Sequence, residues 1–394
     1  MKERQKQKKR FGMGALIGTA AATLVVTLIG VGCAAWLVLG RDGLSLLQGI
    51  TLVKTQFVGE KTEQVTDQAL SGMIEGLGDR WSYYLDAEAY QAEQERRANV
   101  YVGIGVTVDY TSEAGLTIRA VVPGGSAEEA GLAEGELITA VDGEDIAGEA
   151  RYEAPDRIAG EEGSTVRLTV RGLDGNSREV ELVRKSIQTD PVSYEYLANG
   201  VGYVKLSNFF AGSADRVKEA VTDLQSQGAT ALVFDMRDNG GGYLDELIPM
   251  LDFLLPEGPI FQTRSHTGAE KIYESDAACV DLPMAVLVNE NTYSAAEIFA
   301  AELQEEGAAV VIGAPTSGKG YSQQLFPLLN GGALGISTAE YFTGNGVSLI
   351  GAGLHLDRET ALSEEDQARL TAGVLPLAED IQFQAALELL GMGA

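Results

Sequence analysis

Between Phe11 and Gly40 the sequence carries no charged side chain, an unbroken run of 30 residues closed by Arg41 and Asp42. About 20 apolar residues cross the hydrocarbon core of a bilayer as a helix, so this run suffices, with length left over for tilt. The residues before it include Lys2, Arg4, Lys6, Lys8, Lys9 and Arg10, against the single acid Glu3. Basic flanks stay cytoplasmic, which puts residues 1–10 inside, a transmembrane anchor at 11–40 and the rest of the chain outside. A cleavable signal peptide competes with this reading, because Cys33, Ala34 and Ala35 supply small residues. Its apolar stretch spans only about 7–15 residues, roughly half of this run, and an uncleaved anchor is preferred.

Residues 1–41 hold seven of the 29 basic residues and one of the 57 acidic ones, leaving 22 against 56, a net of −34 for the remainder. Phosphate binding needs clustered Lys and Arg, so nucleic acid is a poor partner for such a surface and the acidity reads as solubility. Cys33 lies in the apolar run, so Cys279 is alone in the rest of the chain and no internal disulfide forms there. With no histidine near it, Cys279 is expected to be buried and inert. No His/Cys/Asp cluster has metal-ligand spacing, and no metal or cofactor is expected.

Residues 44–98 lack strand alternation and read as helices over 44–58, 62–77 and 87–97, with a break at 76–79 leading into RWSYYL (80–85), an aromatic cluster in a helical connection. The texture changes at Tyr101. Strand-like runs VGIGVTV (102–108) and LTIRAVV (116–122) are followed by a short helix ending at Ala130 and a strand at 136–141. A helical stretch at 151–158 and strands at 165–170 and 178–183 complete a block of mostly β character. After Asp190 and Pro191, strands at 201–206, 231–236, 284–288 and 309–312 alternate with helices at 213–227, from the Gly240–Gly242 turn to 255, and at 294–304; a final helix covers 378–390. Such alternation predicts βαβ units and a mainly parallel sheet, hence an α/β multi-domain chain.

Ser294 follows a buried strand and opens a helix, where a helix N-terminus stabilises negative charge. Its local sequence SAAE equally fits a capping box. The chain has two histidines, His266 and His355; neither accompanies a Gly-x-Ser-x-Gly elbow, so a Ser-His-Asp triad has little support. Lysine is the other base available to a serine, provided burial lowers its pKa from about 10.4 towards 7–8. Lys319 sits between glycines in TSGKGYSQ (316–323), after the strand at 309–312. That segment lacks the spacing of a phosphate-binding loop.

PGGSAEEAGLAEGELITAVDG (123–143), within 99–186, closely resembles a PDZ domain. The resemblance implies that Gly103, Ile104 and Gly105 offer backbone N–H groups to a peptide's terminal carboxylate, the peptide adding as a strand. VNENTYSAAEI (288–298), followed 25 residues after the serine by SGKGYSQ (317–323), is similar to the C-terminal processing peptidases, or tail-specific proteases; the likeness spans nearly everything after residue 60. It implies that residues 187–394 are the peptidase core, with Ser294 as nucleophile, Lys319 as general base and Gln323 orienting Lys319. DMRDNGGGYLD (235–245) matches the family turn whose glycine amide, here Gly241, pairs with the Ala295 amide as oxyanion hole. Gly240 stands where the family has Pro, Ala296 where Ser is frequent, Ser317 where Phe is frequent, and Leu356 where Pro is frequent. The glycine at 240 implies a more flexible oxyanion loop. The expected function is cleavage of polypeptides near free C-terminal tails, the PDZ module binding the tail and gating access. The competing expectation is an inactive PDZ scaffold that only binds tails. The helical region 44–98 is a possible homodimer contact.

Overall fold

A computed structural model describes residues 13–59 and 64–392 of the chain. The basic segment 1–10, the start of the expected span and the start of the expected 62–77 helix lie outside these residues. The chain divides at Gly78 into two units. In the first, helix α1 (Met13–Gln56) is followed by α2 (Val65–Glu75). The expected anchor and the 44–58 helix are thus two helical stretches that meet without a loop at a kink on Gly40 (φ 62°, ψ −169°), a backbone state that glycine takes without steric cost. By length and composition its 18–56 stretch is able to cross a membrane, and Leu24, Leu37 and Val38 are exposed along it.

The second unit opens on β1 (Tyr83–Leu85), α3 (Ala87–Arg97), β2 (Val100–Gly103), β3 (Val106–Asp109), β4 (Leu116–Val121), α4 (Ser126–Glu129) and β5 (Leu137–Val141). It continues with β6 (Glu144–Asp145), a 3-10 turn (Gly148–Tyr152), α5 (Ala154–Ile158), β7 (Thr165–Arg171), β8 (Ser177–Val183) and β9 (Lys185–Gln188). Strands β3-β4-β5-β7-β8, with β6 on β5, form an antiparallel sheet around Leu116, Ile118, Ile138 and Leu168. The expected strand VGIGVTV is two strands in two sheets: β2 pairs with β9 in a separate ribbon, and the chain breaks at Gly105 (φ 83°). There Ile104 is buried and its carbonyl accepts the Ala127 N–H at 2.9 Å.

Next come β10 (Val192–Tyr196), β11 (Val201–Leu206), α6 (Ser213–Gln227), β12 (Ala231–Asp235), α7 (Leu244–Leu254), β13 (Gly258–Ser265), β14 (Glu270–Ser275) and β15 (Met284–Val288). The chain ends with α8 (Ala295–Glu305), β16 (Ala309–Gly313), β17 (Tyr321–Pro327), β18 (Ala333–Phe342), β19 (Arg358–Glu359), α9 (Glu364–Thr371) and α10 (Ile381–Leu389). The sheet β10-β11-β12-β15-β16-β19 is parallel except at β10–β11. Strand β12 shows why: all five residues are buried, with Leu232 and Phe234 in the core under α6, α7 and α8 and Ala231 and Val233 packing towards α10. Burial on both faces is the mark of a parallel strand covered by helices.

A mainly parallel arrangement holds for this sheet only. A second core sheet, β1-β18-β13-β14 with β17 on β18, is wholly antiparallel. Tyr83–Leu85, expected as part of a helical connection, is one of its strands: Tyr83 pairs with Gly335, and a Cβ there would lie 2.4 Å from the Tyr83 ring. The ring occupies the space that glycine leaves, and pairing across some 250 residues overrides the local pattern. Cys279 is exposed, not buried; in the β14–β15 connection Val280 takes the inward position instead.

Candidate active site

The loops leaving β12 and β15 meet at the carboxyl end of the parallel sheet, where sites of open α/β sheets form. Side chains lace them together. The Asp238 N–H donates to Asn289 Oδ1 at 2.9 Å, Asn289 Nδ2 donates to Asp238 Oδ1 at 2.9 Å, and the Thr292 hydroxyl donates to the Met236 carbonyl at 2.8 Å. Held this way, Ser294 has φ 62° and ψ −126°, a backbone state costing a non-glycine residue about 1–3 kcal/mol and typical of functional sites. Ser294 is also the N-cap of α8, and Glu297 accepts its N–H at 3.1 Å. The capping pattern in the sequence is therefore real, and it holds a serine in a strained pose.

Lys319 reaches the same place from the loop between β16 and β17. Ser294, Ala295, Lys319 and Gln323 all line one cavity of about 430 Å³. The Lys319 ammonium lies 4.9 Å from the Trp81 ring centroid and 5.7 Å from that of Tyr293. Burial lowers its pKa to about 8, against the pull of the Glu297 carboxylate; the Arg97 charge adds to the lowering. Glu297 also accepts the Lys319 N–H at 3.1 Å, the Gly318 N–H at 2.8 Å and the Thr316 hydroxyl at 2.6 Å. The buried Tyr341 hydroxyl donates to the Lys319 carbonyl at 2.5 Å.

The other expected residues fall as follows. The Ala295 N–H, first in α8, has no acceptor among the described residues. Gly241 lies against it, since a Cβ on Gly241 would sit 2.8 Å from the Ala295 nitrogen, but the Gly241 N–H donates to Asn239 Oδ1 at 2.8 Å. The Gln323 amide donates to the Tyr321 carbonyl at 2.8 Å and the Ser337 hydroxyl at 3.0 Å; neither bond goes to Lys319. Gly103, Ile104 and Gly105 line a separate cavity of about 260 Å³ between β3 and α5, with Val108 and Ile158.

The loop at Gly240 is not the loose element its glycine implies. Asn239 Nδ2 donates to the Leu206 carbonyl at 2.7 Å, the Tyr293 N–H donates to the Asn239 carbonyl at 3.2 Å, and the Phe209 N–H to the Gly241 carbonyl at 2.9 Å. The Tyr293 ring fills the space beside Gly240, where a Cβ would meet its hydroxyl at 2.5 Å. Sequence reasoning did not find Trp81, Tyr293, Asn239 or Tyr341. Glu297 was visible as a cap, but its hold on residues 316–319 comes from a segment distant in sequence.

A strained serine opening a helix at the end of a parallel sheet, with a desolvated lysine in the same cavity, defines an α/β protein suited to serine hydrolase chemistry. Comparison with known proteins agrees. Peptidase family S41 matches residues 200–360 and the PDZ domain matches 117–172. The carboxyl-terminal-processing protease of Picosynechococcus sp. is 32% identical over 86% of this chain and 83% of its own length. The chloroplastic carboxyl-terminal-processing peptidase 2 of Arabidopsis thaliana is 32% identical over 72% of the chain, which spans 58% of that protein's length. Among solved structures, the photosystem II D1 C-terminal processing protease superposes with a TM-score of 0.50 at 27% identity, covering 87% of this chain and 92% of that one. The chain therefore belongs to the carboxyl-terminal-processing peptidases of family S41, serine endopeptidases carrying a PDZ domain.

Proposed function

We propose that the chain is a membrane-anchored peptidase that cuts polypeptides near their C-terminal tails outside the cytoplasm, with Ser294 and Lys319 as its catalytic dyad. The observation that carries this reading is the shared cavity of a strained serine and a lysine that burial brings to about pH 8. Neutral Lys319 takes the Ser294 hydroxyl proton as Ser294 attacks the scissile carbonyl. The oxyanion rests on the Ala295 N–H at the positive end of α8. Gly241 supplies the second donor once its N–H turns from Asn239. The Lys319 ammonium then protonates the leaving amine, and water resolves the acyl-enzyme. Gln323 steadies Lys319 when substrate fills the cavity. The basic N-terminus stays cytoplasmic, α1 spans the bilayer, and the PDZ cavity at Gly103, Ile104 and Gly105 reads the tail's free carboxylate and gates access.

Cleavage of a tail peptide by the wild-type protein, Ser294→Ala and Lys319→Ala tests the dyad: the reading expects loss of activity in both variants. The engaged Gly241 N–H favours the other reading, an inactive scaffold that only binds tails, and equal behaviour of all three proteins would establish it. Free and amidated C-termini separate the PDZ role, since equal cleavage of both would remove it.

A further inference from the structure

The catalytic cavity has the opposite charge to the rest of the molecule. The chain carries a net −28, yet the charged residues lining this cavity, Lys319 aside, are Arg80, Arg96 and Arg97 against the single acid Glu93. Glu93 is already saturated: it takes Arg96 through both oxygens at 2.8 and 2.9 Å, and Arg97 at 2.5 Å. Arg80 is exposed and has no carboxylate partner among the described residues. It is nevertheless held in place, with its guanidinium carbon 4.2 Å from the Trp81 ring centroid. The Lys319 ammonium lies 4.9 Å from the same centroid, and Arg80, Ser294 and Lys319 line the same cavity. A guanidinium fixed on an aromatic ring keeps its planar fork of donors for a carboxylate and loses little freedom in binding one.

We propose that Arg80, backed by Arg96 and Arg97, is a carboxylate subsite of the cleft and that the enzyme prefers chains carrying a carboxylate next to the bond it cuts. An Asp or Glu side chain supplies this group, as does the free terminus of a short tail. The surrounding acidic surface repels such segments elsewhere, which leaves this cavity as the place where they are accepted. The proposal rests on Ser294 and Lys319 marking the cleft.

The test uses the full-length protein in detergent and quenched peptides that differ only in Asp, Asn or Lys beside the scissile bond. All three are amidated, which takes the PDZ domain out of the comparison. The expected kcat/KM is about tenfold higher for Asp than for Asn, equivalent to ~1.4 kcal/mol, and lower again for Lys, with the spread shrinking as salt is raised. In Arg80→Gln the Asp preference falls to about one, and in Arg80→Glu the Lys peptide becomes the better substrate. A further pair, short tails with free or amidated ends close to the bond, distinguishes terminal from side-chain carboxylate by whether their ratio depends on Arg80. Equal cleavage of the three peptides by the wild type, or an Asp preference that survives Arg80→Glu, overturns the proposal. Binding of the same peptides to Ser294→Ala, followed by fluorescence anisotropy, keeps the two readings apart. If neither these peptides nor a tail peptide with a free C-terminus is cleaved but the Asp peptide binds about tenfold tighter than Asn, the subsite stands and the dyad falls; equal binding removes the subsite.

Discussion

Glu297 accepts the backbone N–H of Lys319 at 3.1 Å through the same carboxylate oxygen, Oε2, that accepts the N–H of Ser294. Its other oxygen takes the Thr316 hydroxyl and the Gly318 N–H. One buried side chain therefore fixes the relative position of two loops that lie 25 residues apart in sequence. Burial raises the Glu297 pKa, and its four donors oppose that rise. Hydrogen bonds to a charged group contribute about 1.5–3 kcal/mol each, so the carboxylate is a structural centre of the site as well as a helix cap.

Glu297→Gln keeps the shape of the side chain but turns one acceptor into a donor facing other donors. The expected result is a kcat lower by about 10–100-fold, on the order of 1.4–2.7 kcal/mol of barrier, with KM little changed. The charge that holds the Lys319 pKa up is also lost, so the rise of activity with pH moves to lower pH. Rates measured from pH 6 to 10 test both effects.

Glu302, buried further along α8, has its pKa raised to about 8 by burial although the Gly344 N–H donates to it at 2.6 Å. The folded state holds its proton while the unfolded chain has lost it above about pH 4.5. Stability is thus present at low pH and falls as pH rises towards 8. Glu302→Gln still offers Gly344 an acceptor and has no charge to bury. Its Tm is expected to exceed that of the wild type at pH 8–9 and to match it near pH 4, measured by thermal denaturation.

Gly240 and Tyr293 are expected to behave as a coupled pair. A side chain at 240 meets the Tyr293 ring, so Gly240→Pro, which introduces the proline that the family resemblance leads one to expect there, is expected to destabilise the protein. Adding Tyr293→Ala relieves much of that cost. A double-mutant cycle in urea should show a coupling of about 1–2 kcal/mol.

Arg237 is buried between Asp235 at 2.5 Å and Asp380 at 2.7 Å, and Asp380 caps α10 through the Gln382 and Phe383 N–H groups. The same guanidinium joins the root of the loop that follows β12 to the C-terminal helix. Arg237→Met leaves two buried carboxylates without their cation and is expected to cost about 3–5 kcal/mol, read from urea denaturation.

Elements built from continuous apolar runs were legible in the sequence. Strands β12 and β15 and helices α6 and α8 follow from local pattern because their burial is set by that pattern. Tyr83–Leu85 was not legible, since its strand state depends on Gly335 making room for a ring. The hairpins β13–β14 and β17–β18 are half-exposed and mixed in polarity, so no periodicity marked them. At the site, Ser294 and Lys319 were legible through the resemblance of their motifs to the C-terminal processing peptidases, since Ser294 alone reads equally as a helix cap. Their surroundings were not: Trp81, Tyr293 and the engagement of the Gly241 N–H by Asn239 are consequences of tertiary contact.

The pH dependence of kcat/KM tests the central claim most directly, measured on a tail peptide in the Glu302→Gln background so that Lys319 is the group titrating near 8. A base must be neutral to accept the Ser294 proton, so activity should be low at pH 6, rise with unit slope through about pH 8 and level off above it. A rate that is flat from pH 6 to 9, or one that falls across that range, would contradict Lys319 as the base.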